Sequence, residues 1–208
     1  MIQTPQAPVR IDISASTDGR TMRRNRNRTA VITALLDMIR EGDLHPGAAE
    51  IADRAGVSHR SIFRYFDDLD DLVRTTIDQA FEDAGPLSTI PNPGAGTPAE
   101  RIAALVDARI ALFEHVNGAM QLARMRAYSI PAIDEEIAKI AEEFRAQIRV
   151  HFASELTARP DAEQDALVDA VLVLTSYDAY AIHTRLLARP AEQVRMAWIV
   201  ALGVLLRT

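Results

Sequence analysis

The chain has 208 residues, 48% of them apolar, no cysteine and a net charge of −6. That suffices for one sizeable domain, or two small ones sharing a core, and excludes disulfides, thiolate metal sites and a cysteine nucleophile. The charge is uneven: residues 1–66 carry ten arginines against seven acids, and residues 67–208 carry thirteen basic against twenty-two acidic side chains. A basic amino-terminal module on an acidic body is the pattern of a protein that touches nucleic acid at one end. A solvated charge run is the plainer alternative.

Residues 1–20 are polar, hold Pro5, Pro8 and Gly19, and read as a flexible tail with no signal-peptide core. From about residue 23, Val31, Ala34, Leu35 and Met38 mark one helix face, which Gly42 and Pro46 end. Two short helices over 48–55 and 58–65 follow, then a longer one over 68–84 with Asp68, Asp70 and Asp71 at its positive end. Residues 85–98 hold four prolines and three glycines and mark a boundary. Beyond it the patterns predict helices over 98–115 and 118–127, a third with an apolar stripe from Ile133 to Leu156 and Pro131 in its first turn, and two more over 161–187 and 190–206. No strand pattern emerges, so the fold class is all-α. The organisation expected is a tail (1–20), a DNA-binding domain (21–66), a connecting helix (67–84) and a larger domain (85–208). The longest apolar run, 197–206, is too short to span a bilayer, and a cytoplasmic protein without membrane contact is expected.

The segment from Ile51 to Phe66 carries the strongest signal. Two helices crossing over a tight turn need a small residue at their approach, which Ala52 supplies, and a turn residue tolerant of positive φ, which Gly56 supplies. Val57, Ile62 and Phe66 can face a core, and Ser58 can cap the second helix. His59, Arg60, Ser61 and Arg64 are left near the exposed N-terminal face, where a recognition helix meets base edges. Upstream, Arg20, Arg23, Arg24, Arg26 and Arg28 form the tightest basic cluster, with the forked donors that suit phosphate and guanine.

This segment resembles the tetracycline-repressor (TetR) family, whose DNA-binding stretch reads roughly I-A-x-x-A-G-V-S-x-x-x-[LI]-[YF]-x-[YH]-F. The resemblance implies a three-helix reader, a connecting fourth helix, and a helical domain that binds an effector and dimerises through its last two long helices. Carried over, the DNA contacts are His59, Arg60, Ser61, Phe63, Arg64 and Tyr65, with Ser58 and Gly47 at the two helix starts. Gly47, Phe63 and Leu69 stand where the family often has Thr, Tyr and Lys, each able to reach phosphate. Gly47 can still offer backbone N–H groups, and Arg23, Arg24, Arg26 and Arg28 can reach phosphates or the minor groove as basic arms do.

In the second half, Met120, Arg124, Met125, Tyr128, Phe144, Tyr177, Tyr180 and His183 are candidates for an effector pocket; core packing is the alternative for each. Arg124 or Arg126 would favour an anionic group. The helices over 161–187 and 190–206 are apolar on more than one face, which predicts a two-fold homodimer. Val194, Trp198, Ala201, Leu202 and Leu205 form the main stripe of the last helix, with Met196, Ile199, Val200 and Leu206 around it. His115, His151 and His183 fall on three separate predicted helices and form no metal motif, and no nucleophile–base constellation stands out. The expectation is a DNA-binding regulator without cofactor, metal or catalysis, acting on a pseudo-palindromic operator and released by a small molecule. The alternative is a regulator without an effector, constitutive or partner-controlled.

Overall fold

A computed structural model describes residues 14–207, with side chains from Thr21 onward. The described residues form helices joined by turns and loops, without a strand, and no described helix is long and apolar enough to cross a membrane. The expected tail falls largely outside the description, at 1–13. Helix α1 (Ser14–Arg40) begins nine residues earlier than periodicity placed it. Residues 14–20 hold no large apolar side chain, so a reading from hydrophobic periodicity does not register them; extending a helix needs no apolar face once it is nucleated.

Helix α1 buries Val31, Leu35 and Ile39 against α2 (Ala48–Ala55), α3 (His59–Tyr65) and α4 (Leu69–Ala84). Helix α4 starts at Asp68, whose carboxylate accepts the Asp71 N–H at 2.8 Å. One side of α4, with Leu72, Val73 and Ile77, packs into this first core. A single 3₁₀ turn (Gly85–Leu87) follows.

Helix α5 (Pro98–Arg126) is one continuous element, where the sequence patterns predict two helices over 98–115 and 118–127. Thr97 and Glu100 cap it reciprocally, with the Thr97 N–H donating to the Glu100 carboxylate at 2.7 Å. Gly118 serves a different purpose: a Cβ there would stand 2.7 Å from Ile39 Cγ2 and 2.9 Å from the Ile39 carbonyl oxygen. The missing side chain lets α1 cross α5 closely at this point. We expect Gly118→Ala to lower stability by about 1–3 kcal/mol, although alanine improves helix propensity by about 1 kcal/mol. Urea unfolding checks this, and a stabilised variant would show that the crossing can widen freely.

Helices α6 (Pro131–His151), α7 (Ala153–Leu156), α8 (Asp161–Leu174), α9 (Tyr177–Ala181) and α10 (Ala191–Leu205) complete the second core. The helix predicted over 161–187 is divided. Thr175 turns its hydroxyl onto the Val171 carbonyl at 2.8 Å, and Ser176 caps α9 by accepting the Ala179 N–H at 3.2 Å. Such local side-chain bonds compete with helix continuation. A π-helical turn (Ile182–Leu186) follows α9.

The loop before α5 is tied to the second core by a buried polar knot. Arg101 pairs with Glu155, both almost fully buried, and also donates to the Gly96 carbonyl. His151, 1% exposed, accepts the Gly94 N–H at its Nδ1 (3.1 Å) and, in that tautomer, donates from Nε2 to the Arg101 carbonyl (2.8 Å). Burial above all, with Arg101 nearby, lowers its pKa below the ordinary 6.5. The folded state therefore prefers neutral His151, while the unfolded chain takes up a proton below about pH 6.5. Stability from this group is present above that pH and declines as pH falls towards the lowered folded pKa. Thermal unfolding from about pH 7.5 down to about pH 5.5 should show the decline, and His151→Gln should lessen it. An equal decline in the variant would place its origin elsewhere.

Candidate DNA-reading helix and ligand cavity

The turn between α2 and α3 closes as its residues dictate. Gly56 sits at φ 66°, ψ 31°, and Val57 N–H reaches back to the Ala52 carbonyl at 3.0 Å. This is a glycine-terminated helix end with its carbonyls satisfied. Ile62 and Phe66 then face the core, 0% and 2% exposed. Ser58 occupies the N-cap position of α3 without capping through its side chain: its hydroxyl pairs with Ser61 Oγ at 2.8 Å, while the Ser61 N–H is taken by the Ser58 carbonyl.

What remains outward on α3 is His59, Arg60, Phe63 and Arg64, with Ser61 half-buried. His59 and Phe63, one turn apart, meet edge to face at 5.2 Å, and Phe63 is 47% exposed. The face combines a forked cation, an imidazole and an aromatic edge, which are hydrogen-bonding and apolar means of reading the major groove. Tyr65 lies inward. Its hydroxyl accepts from Asn27 at 3.2 Å and from Arg64 at 2.7 Å, so it braces α3 against α1. Sequence offsets alone could not distinguish this brace from a DNA contact.

Arg23, Arg24 and Arg26 are exposed along α1, whereas the Arg28 guanidinium lies over the Phe66 ring at 5.0 Å and is half-buried. Gly47 begins α2, but its N–H is already held by the Glu50 carboxylate at 2.7 Å. Leu69 packs partly buried against the first core.

In the second half a partly open cavity of about 840 Å³ lies between α4, α5, α6 and the α8–α9 break. Four of the eight candidate residues line it: Met120, Arg124, Phe144 and Tyr177. Burial raises the Tyr177 hydroxyl to about 12, and that hydroxyl donates to Asn117 Oδ1 at 2.9 Å. The other four lie elsewhere. Met125 and Tyr128 point into solvent at the end of α5, Tyr180 is buried behind Phe113 at 5.7 Å, and His183 stands half-buried on the π turn. Nor are the two arginines open to an anion, since Arg124 pairs with Asp178 at 2.5 Å and Arg126 approaches Asp70 at 3.5 Å.

Sequence reasoning missed the α4 side of the cavity, where Asp78, Phe81 and Glu82 contribute, and Phe113 on α5. It also missed Arg109, which is 1% exposed, with its guanidinium 3.5 Å from the Phe144 ring and Gln147 at 3.4 Å as hydrogen-bond partner. Burial lowers its pKa to about 9. Among the described residues, no three histidine, aspartate or glutamate side chains are placed to hold a metal ion.

The helix-turn-helix, its outward basic and aromatic face, and the helical body behind it define a transcriptional regulator that binds DNA through its amino-terminal domain. Residues 31–76 match the sequence profile of the bacterial regulatory proteins of the tetR family. No curated protein matches the chain. Solved structures share its fold. A transcriptional regulator from Rhodococcus sp. Rha1 aligns with a TM-score of 0.64 at 20% identity, over 88% of this chain and 95% of that one. Another regulator from Rhodococcus sp., assigned to the TetR family, aligns with 0.65 at 15% identity, over 89% and 100%. The multidrug binding protein EbrR, complexed with imidazole, aligns with 0.57 at 24% identity, over 90% and 91%.

Proposed function

We propose that the chain is an effector-controlled repressor that works in the cytoplasm as a two-fold homodimer, with one α3 in each half of a pseudo-palindromic operator. The observation that carries the regulatory part is the double use of α4. Leu72, Val73 and Ile77 of α4 pack into the core that holds the reader, while Asp78, Phe81 and Glu82 of the same helix form a wall of the cavity. A ligand regulates only if it binds the DNA-competent and incompetent states unequally. A ligand filling the cavity presses on a helix whose other side carries the reader, so the two states differ at the ligand itself. A solved structure of the same fold, the multidrug binding protein EbrR complexed with imidazole, supports a ligand-binding role.

The test uses a cavity-filling variant. Ala141 is half-buried in the cavity wall. Ala141→Trp should leave DNA affinity within about twofold, since it lies far from α3. Screened by thermal shift, a small-molecule library should yield compounds that stabilise the parent protein and not the variant. Those compounds should change operator affinity by roughly 5–150-fold. If compounds bind the cavity and operator affinity stays constant, the chain is a regulator without effector control.

A further inference from the structure

We infer that the cavity takes an organic cation, with its apolar body among the aromatic rings and its charge at a carboxylate-lined rim between α4 and α6. The inference rests on the effector reading above and adds the ligand's chemical class. Five carboxylates and two arginines line the cavity. One arginine, Arg124, is neutralised by Asp178 on the α9 side. The other, Arg74, is shared between Asp71 at 2.7 Å and Asp78 at 3.1 Å. Glu82 on α4 and Glu143 on α6 have no ion-pair partner among the described residues, and Glu136 on α6 meets only Lys139, at 3.3 Å on the exposed surface.

The rim therefore keeps an excess of negative charge, carried by two helices that face each other across the opening. Burial of Asp78, offset in part by Arg74 and reinforced by Glu136 and Glu82, holds its carboxyl above the ordinary range, as expected where carboxylates crowd. Phe81, Phe113 and Tyr177 supply ring surface behind the rim, and ring faces attract cations. Arg109 is the one buried cation near the cavity, but Phe144 lies between it and the space and already carries its charge on one face. An anionic ligand would have to pass the acidic rim and displace that ring. A cation at the rim instead meets carboxylates from both helices and replaces their mutual repulsion with attraction, drawing α4 towards α6.

Three probes with the same alkyl chain separate charge from apolar fit: octyltrimethylammonium, octan-1-ol and octanoate. Calorimetric titration of the full chain should rank the cation about tenfold tighter than the alcohol, with octanoate weakest. Added salt should weaken only the cation's binding. The double variant Glu82→Gln/Glu136→Gln should bring the cation to within about threefold of the alcohol while alcohol binding persists, which also shows the cavity intact. Octanol or octanoate binding as tightly as the cation, or a cation preference surviving in the double variant, overturns the charge assignment and leaves the cavity reading standing. Failure of all three to bind the parent at millimolar concentration overturns both.

Discussion

Val200→Asp combined with Val204→Asp should convert the protein to a folded monomer of 22.9 kDa and reduce operator affinity by roughly 10²–10⁴-fold. Helix α10 is apolar on two sides that serve different purposes. Val194, Trp198 and Leu202, each 0% exposed, fill the chain's own second core. Met196, Val200 and Val204, spaced four apart, are 56%, 61% and 64% exposed. Val173 on α8 and Ile182, Leu186 and Leu187 beyond α9 are exposed as well. Soluble chains rarely leave so many large apolar side chains uncovered without a partner. A second copy is the partner the function requires, since two readers on a two-fold axis bind with the advantage of linkage.

A carboxylate on that exposed stripe costs little in a monomer and a great deal at a closed interface. Light scattering checks the mass, and unchanged thermal unfolding shows that the core survived. Retained dimers, or monomers that bind the operator as well as the parent, would refute this interface. Leu202, which sequence reading placed on the main stripe and hence at the dimer face, is unsuitable for the test: it lies in the chain's own core, and a charge there would unfold the domain.

Arg60→Ala should cost about 1–3 kcal/mol on the best operator and relax base preference at one position of each half-site. Arg60 is exposed on the first turn of α3 and enters no ion pair among the described residues, so its fork is available to a base edge. Arg24→Ala, on the exposed α1 arm, should instead weaken all duplexes alike and flatten the salt dependence by about one counterion. Arg64 differs from both, because its bond to Tyr65 must be surrendered or shared when DNA is bound. Its removal should therefore perturb the α1–α3 brace as well as any base contact. Competition titrations against a panel of single-base operator variants measure these effects. An Arg60→Ala protein with the parent's full ranking of sequences would remove Arg60 from base readout.

The reader was legible because several local constraints fall at fixed offsets: Ala52, Gly56, Val57, Ile62 and Phe66 each do what backbone geometry and burial demand of that position. The cavity was only half legible. Its wall comes from five separate helices, and sequence does not say which residues at and beyond the far end of α5 turn inward, so Met125 and Tyr128 were mistaken for lining. The split of α5 into two predicted helices near 116 was not borne out, and the role of Gly118 within it depends on Ile39, seventy-nine residues away. The apolar excess of the last helix was readable, but not which of its stripes stays exposed. Two apolar faces compete for the core, and Trp198, with the largest surface to bury, settles which one turns inward.

Selection from a randomised duplex pool, followed by hydroxyl-radical footprinting, tests the central claim most directly. The expected result is an enriched pseudo-palindrome whose half-sites lie about 34–36 Å apart, or a multiple of that, protected by the parent and lost with the Val200/Val204 double variant. Enrichment of no sequence, or of one asymmetric site protected equally by that monomeric variant, would contradict it.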